Sequence, residues 1–528
     1  MTNNDSKPDV IIIGAGINAL GAAYTLCNAG WRVLVLDRNA QPGGAIRTQE
    51  LTLPGFQHDI GAMNLGLFAG SPFWQEHREA LEAKGVSFVA ADHSAGSVFP
   101  DGRFLGVTTD PEENKRAITG FSKADAEAWE TWLSDFDACA PHLFALLGSR
   151  AVPASPTALR FGEDQDVPDA VAPVLRGILA DSLRANLTAR FESPELQAMI
   201  AAWGLHPDTA PDIAGGCTYP FIETNIDARQ GIAIATGGSG TVMMALVALI
   251  EEAGGEVRCD TTVDRIIIEN NRAVGVELAS GEALYASRAV LASVTPQALL
   301  NLTGNHLPAA ETQRAQTWRH GPGTMMIHLA LSDLPDWQAE GARKSFYVHI
   351  GPSLDDLARA YQEGVAGVLS AKPFCVVAQP TIYDPSRAPD RRHVLWIMVR
   401  CVPAEIRGDA LSDITELMWS EATKEAFAER VLDLIEGYAP DLRSKILGRA
   451  IHSPLDLEAL NPNLVGGDIN GGSSHLDQAY GQRPFPNYPH HRMPIDGLYM
   501  CGASTWPGGG AGTGSGILAA QSMLEDLG

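Results

Sequence analysis

Over the first forty residues, apolar and polar positions alternate in blocks typical of a strand, a helix and a second strand. An apolar run at 10–13 meets a glycine turn, and another at 33–36 ends in Asp37. Between the two runs, small apolar residues repeat at the i, i+3, i+4 and i+7 spacing of a helix with one buried side, as Ala19, Ala22, Ala23 and Leu26. This pattern predicts a βαβ unit.

The glycine turn has the residue types that a dinucleotide requires. Gly14 permits a tight exit from the strand, and Gly16 lacks the Cβ that would hold the backbone away from a pyrophosphate at the helix N-terminus. The usual third glycine is Ala19, the smallest substitute. Asp37, 21 residues after Gly16, lies where a carboxylate can accept the ribose hydroxyls. We therefore predict a dinucleotide-binding unit, with an ordinary βαβ unit as the alternative.

The periodicity changes after this unit. Residues 71–229 have mainly helical spacing, as in 124–147 and 167–202, and predict a helical insertion. Gly237 to Gly240 open a helix, followed by short β-rich runs that end at Ala292 and return the chain to the first sheet. Beyond them we predict a sheet backed by helices, with strands at 325–331, 345–350, 374–379 and 394–402 and a helix at 414–438.

A second glycine-rich turn follows an apolar strand at 497–502. Residues 507–516 consist mainly of glycine and precede a helix predicted from about Ile517. Bare backbone amides at a helix N-terminus suit an anionic group, such as the pyrimidine edge of a reduced flavin. A flexible linker is the alternative, but linkers do not usually separate an apolar strand from an alanine-rich helix.

Composition narrows the function classes. The chain is 45% apolar and 19% charged, with 38 Lys and Arg against 63 Asp and Glu, a net charge of −25. Such a charge disfavours binding to nucleic acid and to anionic bilayers. No apolar stretch approaches the roughly 18 residues of a membrane span, and residues 1–7 are polar, so we expect a cytoplasmic protein. The seven cysteines lack CxxC spacing and predict free thiols without a metal site.

Several motifs together resemble the phytoene desaturase-like branch of the FAD-dependent amine oxidase and desaturase superfamily. They are G-A-G-I-N-A-L-G-A-A, D-R-N-A-Q-P-G-G-A-I-R-T, G-G-S-G, G-G-D-I-N-G-G-S-S-H-L-D-Q-A-Y-G-Q-R-P and G-L-Y-M-C-G-A-S-T-W-P-G-G-G. The resemblance implies an α/β fold of the p-hydroxybenzoate hydroxylase type with α+β insertions: a discontinuous Rossmann-like FAD domain and a separate substrate domain. We expect the FAD domain at 1–70, 235–296 and 455–528, a helical cap at 71–234 and the substrate sheet at 297–454.

The same resemblance implies which residues hold FAD, and no covalent attachment site is recognisable. Asp37 stands where the family more often has Glu. The expected cofactor contacts, from the adenosine end to the flavin end, are Gly14, Gly16, Ala19, Gly21, Asp37, Val263, Arg38, Gly43, Gly44, Arg47, Thr48, Gly61, Ala62, Met63, Gly502, Gly512, Thr513 and Gly514.

Candidate catalytic residues follow from their positions. Trp506 immediately precedes the glycine-rich turn, and His475 and Tyr480 lie in the pre-terminal motif, where they can act as acid, base or hydrogen-bond donor. Tyr347 shares a strand face with His349.

Four other positions are predicted to have structural rather than catalytic roles. Asp477 and Arg483 are expected to pair with each other. His328 is expected to be a satisfied core histidine, and His58 an exposed or satisfied one.

The leading hypothesis is an FAD-dependent dehydrogenase or desaturase of a small or medium hydrophobic substrate. A hydride would pass to flavin N5, and oxygen or a quinone would reoxidise the cofactor. An amine or amino-acid oxidase that releases an imine and peroxide is the alternative, and an FAD-binding module without turnover is the alternative from another class. A carotenoid substrate is disfavoured by the acidic composition. A homodimer is left open.

Overall fold

The computed structural model describes residues 7–150, 152–155, 167–488 and 490–528. Its α-helices, α1 to α16, are Ile17–Asn28, Gly66–Ala69, Pro72–Ala83, Pro111–Thr119, Lys123–Leu147, Ala172–Ala180, Leu183–Arg190, Pro194–Ala201, Thr218–Gln230, Gly240–Glu252, Pro296–Thr303, Ala309–Gln316, Leu354–Ala366, Glu421–Glu436, Pro454–Leu460 and Gly514–Leu527. Its strands, β1 to β21, are Val10–Ile13, Val33–Leu36, Thr48–Gln49, His58–Asp59, Phe88–Ala91, His93–Val98, Phe104–Thr108, Ile232–Ala235, Glu256–Arg258, Val263–Glu269, Arg272–Leu278, Ala283–Tyr285, Ala289–Ala292, Gly323–Leu331, Tyr347–Ile350, Val368–Leu369, Phe374–Ala378, His393–Val402, Gly408–Asp409, Ile446–His452 and Leu498–Met500.

A five-stranded parallel sheet carries the N-terminal βαβ unit. Its strand order is β21-β13-β1-β2-β9, and Val10 lies opposite Val33 on one side and Ala289 on the other. Strands β1, β2 and β13 are buried on both faces, as their uninterrupted apolar runs predict. Three distant stretches of the chain thus build one nucleotide-binding sheet, which confirms the discontinuous α/β fold.

Helix α1 packs between this sheet and α16. The predicted stripe of Ala19, Ala22, Ala23 and Leu26 is fully buried. Helices α1 and α16 approach so closely that a Cβ on Gly516 would lie 1.8 Å from the carbonyl oxygen of Asn18. Helix α16 begins at Gly514, three residues before the predicted start, because the glycine turn itself forms its first turn.

A second, seven-stranded sheet has the order β20-β14-β18-β17-β15-β6-β7. Alternate residues of its central strands face two separate cores. Trp396 and Met398 face the helical layer, whereas Ile397 and Val399 pack with Phe427 of α14. The predicted strands at 325–331, 345–350, 374–379 and 394–402 all occur in this sheet within two residues of their expected ends.

Some local predictions need correction. The segment predicted as helical also supplies β6 and β7 to the seven-stranded sheet, because these strands pair with β15 and with each other. Helix α14 starts at Glu421 rather than at residue 414. The Ser420 hydroxyl caps its first turn by accepting the amide N–H of Thr423. The segment 167–202, predicted to have helical spacing, contains three helices, α6, α7 and α8, which agrees with a helical insertion.

A buried ion network joins β4, β8 and the segment between β17 and β18. The Arg387 guanidinium lies 2.6 Å from Asp59 Oδ2 and 3.0 Å from Asp384 Oδ2, and it donates to the Ala235 carbonyl. Asp59 also accepts hydrogen bonds from Thr48 and Ser239. Because Arg387 and both carboxylates are almost fully buried, each depends on the others for its charge compensation.

Candidate active site

The N-terminal glycine turn keeps its backbone open toward solvent. Gly14 has φ +94°, and Gly16 is followed directly by α1. A Cβ built on Gly16 would meet no protein atom within 4 Å. Asp37 is buried, and its carboxylate accepts the amide N–H of Ala15 at 2.7 Å and that of Asn39 at 2.8 Å. The acid therefore orders the turn and retains lone pairs for ribose hydroxyls.

The second glycine pair lies against the first turn. The Gly43 amide donates to the Ala15 carbonyl at 2.8 Å, and a Cβ on Gly44 would be 3.3 Å from Gly16 Cα. Arg47 follows, buried, with its Nε lacking a hydrogen-bond partner. Burial lowers the pKa of Arg47, and the charge of Asp37 acts in the opposite sense. Such a guanidinium near bare glycine amides suits a phosphate.

The predicted contacts of the flavin end form two groups, and only the first of them belongs to the described lining of a cavity. Gly61, Ala62 and Met63 line a large cavity, and Gly61 has no room for a Cβ because the Ala45 carbonyl oxygen would be 2.5 Å away. The residues Gly502, Gly512, Thr513 and Gly514 are absent from its described lining, which Pro507 to Ala511 contribute instead.

Other predicted cofactor residues have varied surroundings. Arg38 is exposed, and Val263 is half-buried at the start of β10. Thr48 has its hydroxyl engaged by Asp59 and by the Gly240 amide. Gly21 leaves room for Thr513, because a Cβ on Gly21 would lie 2.7 Å from the Thr513 methyl group. Gly21 therefore allows α1 to pack against the C-terminal turn.

The residues present fit an extended FAD. The open side of Gly16 is a cradle that a Cβ would fill, and two buried polar atoms, Arg47 Nε and Thr513 Oγ1, have no partner in the protein. The N-termini of α1 and α16 supply backbone amides for anionic groups.

A cavity of about 360 Å³ extends from the backbone of Gly61 to Met63 to the seven-stranded sheet. We call it the central cavity. Its lining is mainly apolar and comes from α5, α9, α15 and the seven-stranded sheet. Representative lining residues are Leu143, Leu147, Ile222, Met326, Trp396, Met398 and Leu460. A pocket of this size and character suits a small or medium hydrophobic ligand.

Trp506 and Tyr480 stand together on one wall of the central cavity. Their rings stack with centroids 5.3 Å apart and planes 30° apart. The Trp506 Nε1–H is buried without a partner, and the Tyr480 hydroxyl contacts the Leu179 carbonyl at 3.5 Å. Burial raises the pKa of Tyr480 to about 12, so this phenol is a hydrogen-bond donor at neutral pH.

Tyr347, on β15, also lines the central cavity. The backbone N–H of Asn64 donates to its hydroxyl, and burial raises the pKa of Tyr347. His349, on the same strand face, is absent from the described lining of the cavity. Its Nε2 lies 3.3 Å from Nε2 of His206, and His206 does line the cavity.

His475 is oriented away from the cavity lining. Its Nε2 hydrogen-bonds with the Tyr361 hydroxyl at 3.1 Å and lies 3.7 Å from Asp208 Oδ2, whereas its neighbours Ser474 and Leu476 line the cavity. The expected Asp477–Arg483 pair does not form. Asp477 pairs with Arg319, and Arg483 lines the cavity while it donates to backbone carbonyls, including that of Ala503.

Two predicted histidines also differ from expectation. His328 is fully buried as expected, but neither ring nitrogen has a hydrogen-bond partner. Its ring lies between those of His58 and His452, with centroids 5.5 Å and 5.6 Å away. His58 is buried, and only its Nε2 is bonded, to Thr52 at 2.8 Å. Burial lowers the pKa of His58 to about 4 and that of His328 well below the ordinary value.

The sequence interpretation missed Glu223 on α9. Glu223 lines the central cavity and is almost fully buried. Asn64 Nδ2 donates to its Oε2 at 3.1 Å, and Tyr219 hydrogen-bonds to the same carboxylate. Burial raises the pKa of Glu223 to about 7, against the opposing effect of these two donors. A signal was present, since Tyr219, Glu223 and Asp227 recur every four residues and so lie on one side of a helix.

The chain matches known proteins along its whole length. The sequence model of the family described as flavin containing amine oxidoreductase matches residues 20–524. A rat protein named pyridine nucleotide-disulfide oxidoreductase domain-containing protein 2 is 28% identical, over 99% of this chain and 95% of its own. A limonene dehydrogenase chain from Castellaniella defragrans is 26% identical over 98% and 95% of the two chains. The neurosporene-forming phytoene desaturase of Cereibacter sphaeroides is 23% identical over 98% and 94%.

Solved structures share the fold. A triple mutant of putrescine oxidase superposes with a TM-score of 0.61 at 16% identity, covering 99% of this chain and 98% of that one. Among the described residues, no helix combines the length and the apolar character needed to span a bilayer.

Proposed function

The chain belongs to the flavin-containing amine oxidoreductase family, and from that premise we propose that this FAD-dependent oxidoreductase desaturates a small or medium hydrophobic molecule. The observation that carries the proposal is the mainly apolar central cavity, which ends against the flavin-side backbone at Gly61 to Met63. The relatives named for limonene and phytoene, both hydrocarbons, support the same substrate class.

FAD, when bound, supplies the hydride acceptor, and oxygen or a quinone reoxidises it. The chain's own residues bind and orient the substrate. Leu143, Ile222 and Met398 remove apolar surface from water and so fix the substrate by burial. Their side chains also exclude water from the reacting carbons, which protects the reduced cofactor from side reactions. Trp506 and Tyr480 form an aromatic wall that limits the orientations available to the substrate.

Anaerobic reduction of the bound flavin tests the proposal. Purified protein loaded with FAD would be mixed without oxygen with limonene, phytoene, putrescine and cyclohexylamine, and the loss of the oxidised flavin absorbance followed. We expect bleaching by a hydrocarbon of limonene size and none by the diamine. Bleaching by neither hydrocarbon would refute the proposal.

Oxidation of an amine is the second candidate, and one observation favours it. The only carboxylate among the described residues lining the cavity is Glu223, and it can pair with an ammonium group. Bleaching by putrescine or cyclohexylamine, with release of peroxide on exposure to oxygen, would identify this activity. A flavin that dithionite reduces but no organic compound does would indicate a module that binds FAD without turnover.

A further inference from the structure

We propose that Glu223 is the proton acceptor of the reaction, taking one hydrogen of the substrate as a proton while the other leaves with its electron pair. This inference rests on the proposed function, because only oxidation of a CH–CH unit requires such a base. It assigns a catalytic role to a residue that no motif of the chain indicates.

The position of Glu223 meets the first requirement of a base, contact with the substrate space. Its side chain lines the same cavity as Ala62 and Met63, beside Ile222 of the apolar wall. Other polar groups of the described lining are poorer bases. Arg47 and Arg483 remain cationic, and burial keeps the phenols Tyr219, Tyr347 and Tyr480 protonated. Burial lowers the pKa of the His206 imidazole well below its ordinary value, so His206 holds a proton more weakly than Glu223 does.

The hydrogen bonds of Glu223 meet the second requirement, since they prepare it to carry a charge. Asn64 Oδ1 accepts the Gly66 amide N–H at 2.8 Å, which turns the Asn64 Nδ2 toward Glu223. Tyr219, one turn earlier on α9, provides the other hydrogen bond. A carboxyl that receives two donors is held as an acceptor, whereas a permanently neutral acid would need an acceptor of its own.

Burial, opposed by the two donors, raises the pKa of Glu223 to about 7, close to neutrality. Asp227, one turn later on α9, is fully buried with Oδ2 unpartnered, and burial together with the charge of Glu223 raises its pKa well above the ordinary value. A charge on Glu223 therefore favours the neutral form of Asp227. The other titratable groups facing Glu223 are Tyr219 and, from β15, Tyr347, whose pKa values are also raised, so neither adds charge at neutral pH.

The step balances in atoms and electrons. One C–H bond of the substrate breaks and its proton moves to a Glu223 carboxylate oxygen. The adjacent C–H bond breaks with its electron pair retained by the hydrogen, which the flavin accepts, and the electrons of the first C–H bond form the C=C bond. The substrate is oxidised by two electrons, FAD is reduced by two, and Glu223 returns its proton to solvent before the next turnover.

The test compares E223Q with D227N, a matched change one turn away at a residue outside the described cavity lining. We expect E223Q to retain FAD and to bind limonene with an unchanged Kd, but to lower the rate of anaerobic flavin reduction by limonene about 10²- to 10⁴-fold. D227N should stay within about tenfold of the wild type. The wild-type rate should rise as pH increases through about 7, and E223Q should lose that rise.

A second readout needs no substrate. The infrared difference spectrum of the FAD-loaded protein between about pH 6 and about pH 8 should contain a protonated carboxyl band that disappears at high pH and is missing in E223Q. Absence of this band, or an unchanged reduction rate in E223Q, overturns the assignment even if limonene is oxidised. If E223Q instead raises the Kd for putrescine and leaves the rate of flavin reduction unchanged, Glu223 binds the ammonium group of a substrate. That result also overturns its assignment as the base. Failure of both hydrocarbons to reduce the wild type refutes the proposed function instead, and with it the role of Glu223 in it.

Discussion

Replacing Gly16 by alanine should weaken FAD binding and leave the stability of the FAD-free protein nearly unchanged. Gly16 has φ −75° and ψ 168°, which any residue adopts, and a Cβ there meets no protein atom within 4 Å. The FAD-free G16A protein should therefore keep its stability to within about 1 kcal/mol, because the gain from restricting the unfolded chain offsets the loss from alanine at the N-cap of α1. The added methyl group should nevertheless enter the space that the cofactor pyrophosphate needs.

The expected loss of affinity follows from overpacking. Forcing a methyl group into a filled space costs about 1–3 kcal/mol, which corresponds to a Kd for FAD raised about 5- to 150-fold. FAD is first stripped from both proteins. The urea midpoint of the FAD-free forms then measures stability, and a fluorescence titration with FAD measures Kd.

G43A is the control for a glycine whose neighbouring space is filled by the protein itself. Gly43 has φ +123°, and a Cβ there would lie 2.3 Å from the Ile46 carbonyl oxygen. G43A should therefore destabilise the FAD-free protein, in contrast to G16A. If G16A is as stable as expected and still binds FAD with wild-type affinity, the glycine turn does not approach the cofactor and our interpretation of the site is wrong.

Two further predictions concern buried charge and pH. R387M should lower the free energy of unfolding by about 3–5 kcal/mol because it leaves Asp59 and Asp384 buried without a cation. The control R443M removes three partly exposed ion pairs and should lower that free energy by about 1 kcal/mol or less. Equal urea midpoints for R387M and R443M would contradict this prediction. H328L should be as stable as the wild type at neutral pH and more resistant to acid. Above about pH 6.5 the His328 imidazole is neutral in both the folded and the unfolded protein. Below that pH the unfolded chain takes up a proton that the buried ring does not, which lowers the free energy of unfolding of the wild type by up to about 1.4 kcal/mol per pH unit. Parallel acid-unfolding curves for H328L and wild type would count against this account.

Periodicity and glycine placement were sufficient to predict most of the fold. The apolar runs of β1 and β2 and the small-residue stripe of α1 each follow from a local rule, so the βαβ unit could be predicted without any tertiary information. The partners of β6 and β7 could not, because which strand pairs with β15 depends on contacts far apart in the sequence. Helix α14 was predicted too long because residues 414–420 contain apolar side chains at roughly helical spacing.

The site was predictable on its glycine side and much less so on its substrate side. Glycine turns carry a backbone requirement that is legible in the sequence, whereas the side chains that line a cavity are selected by how distant elements pack. Glu223 illustrates the difference. Its importance comes from burial against Asn64, 159 positions away in the chain. The four-residue spacing of Tyr219, Glu223 and Asp227 places them on one side of a helix, but it does not show that this side is buried or faces a cavity.

The five-stranded sheet is built from distant segments of the chain, so it can be completed only late in synthesis. Strand β21 closes the edge of β13, and α16 packs on α1, so the first and last elements of this half are neighbours in space. A ribosome-bound chain that stops short of β21 has an open sheet edge and an uncovered α1, with the flavin-side turn at Pro507 to Ala511 still missing. Closure of this edge therefore waits for the synthesis of β21 and α16, and until then the edge of β13 can pair with other strands.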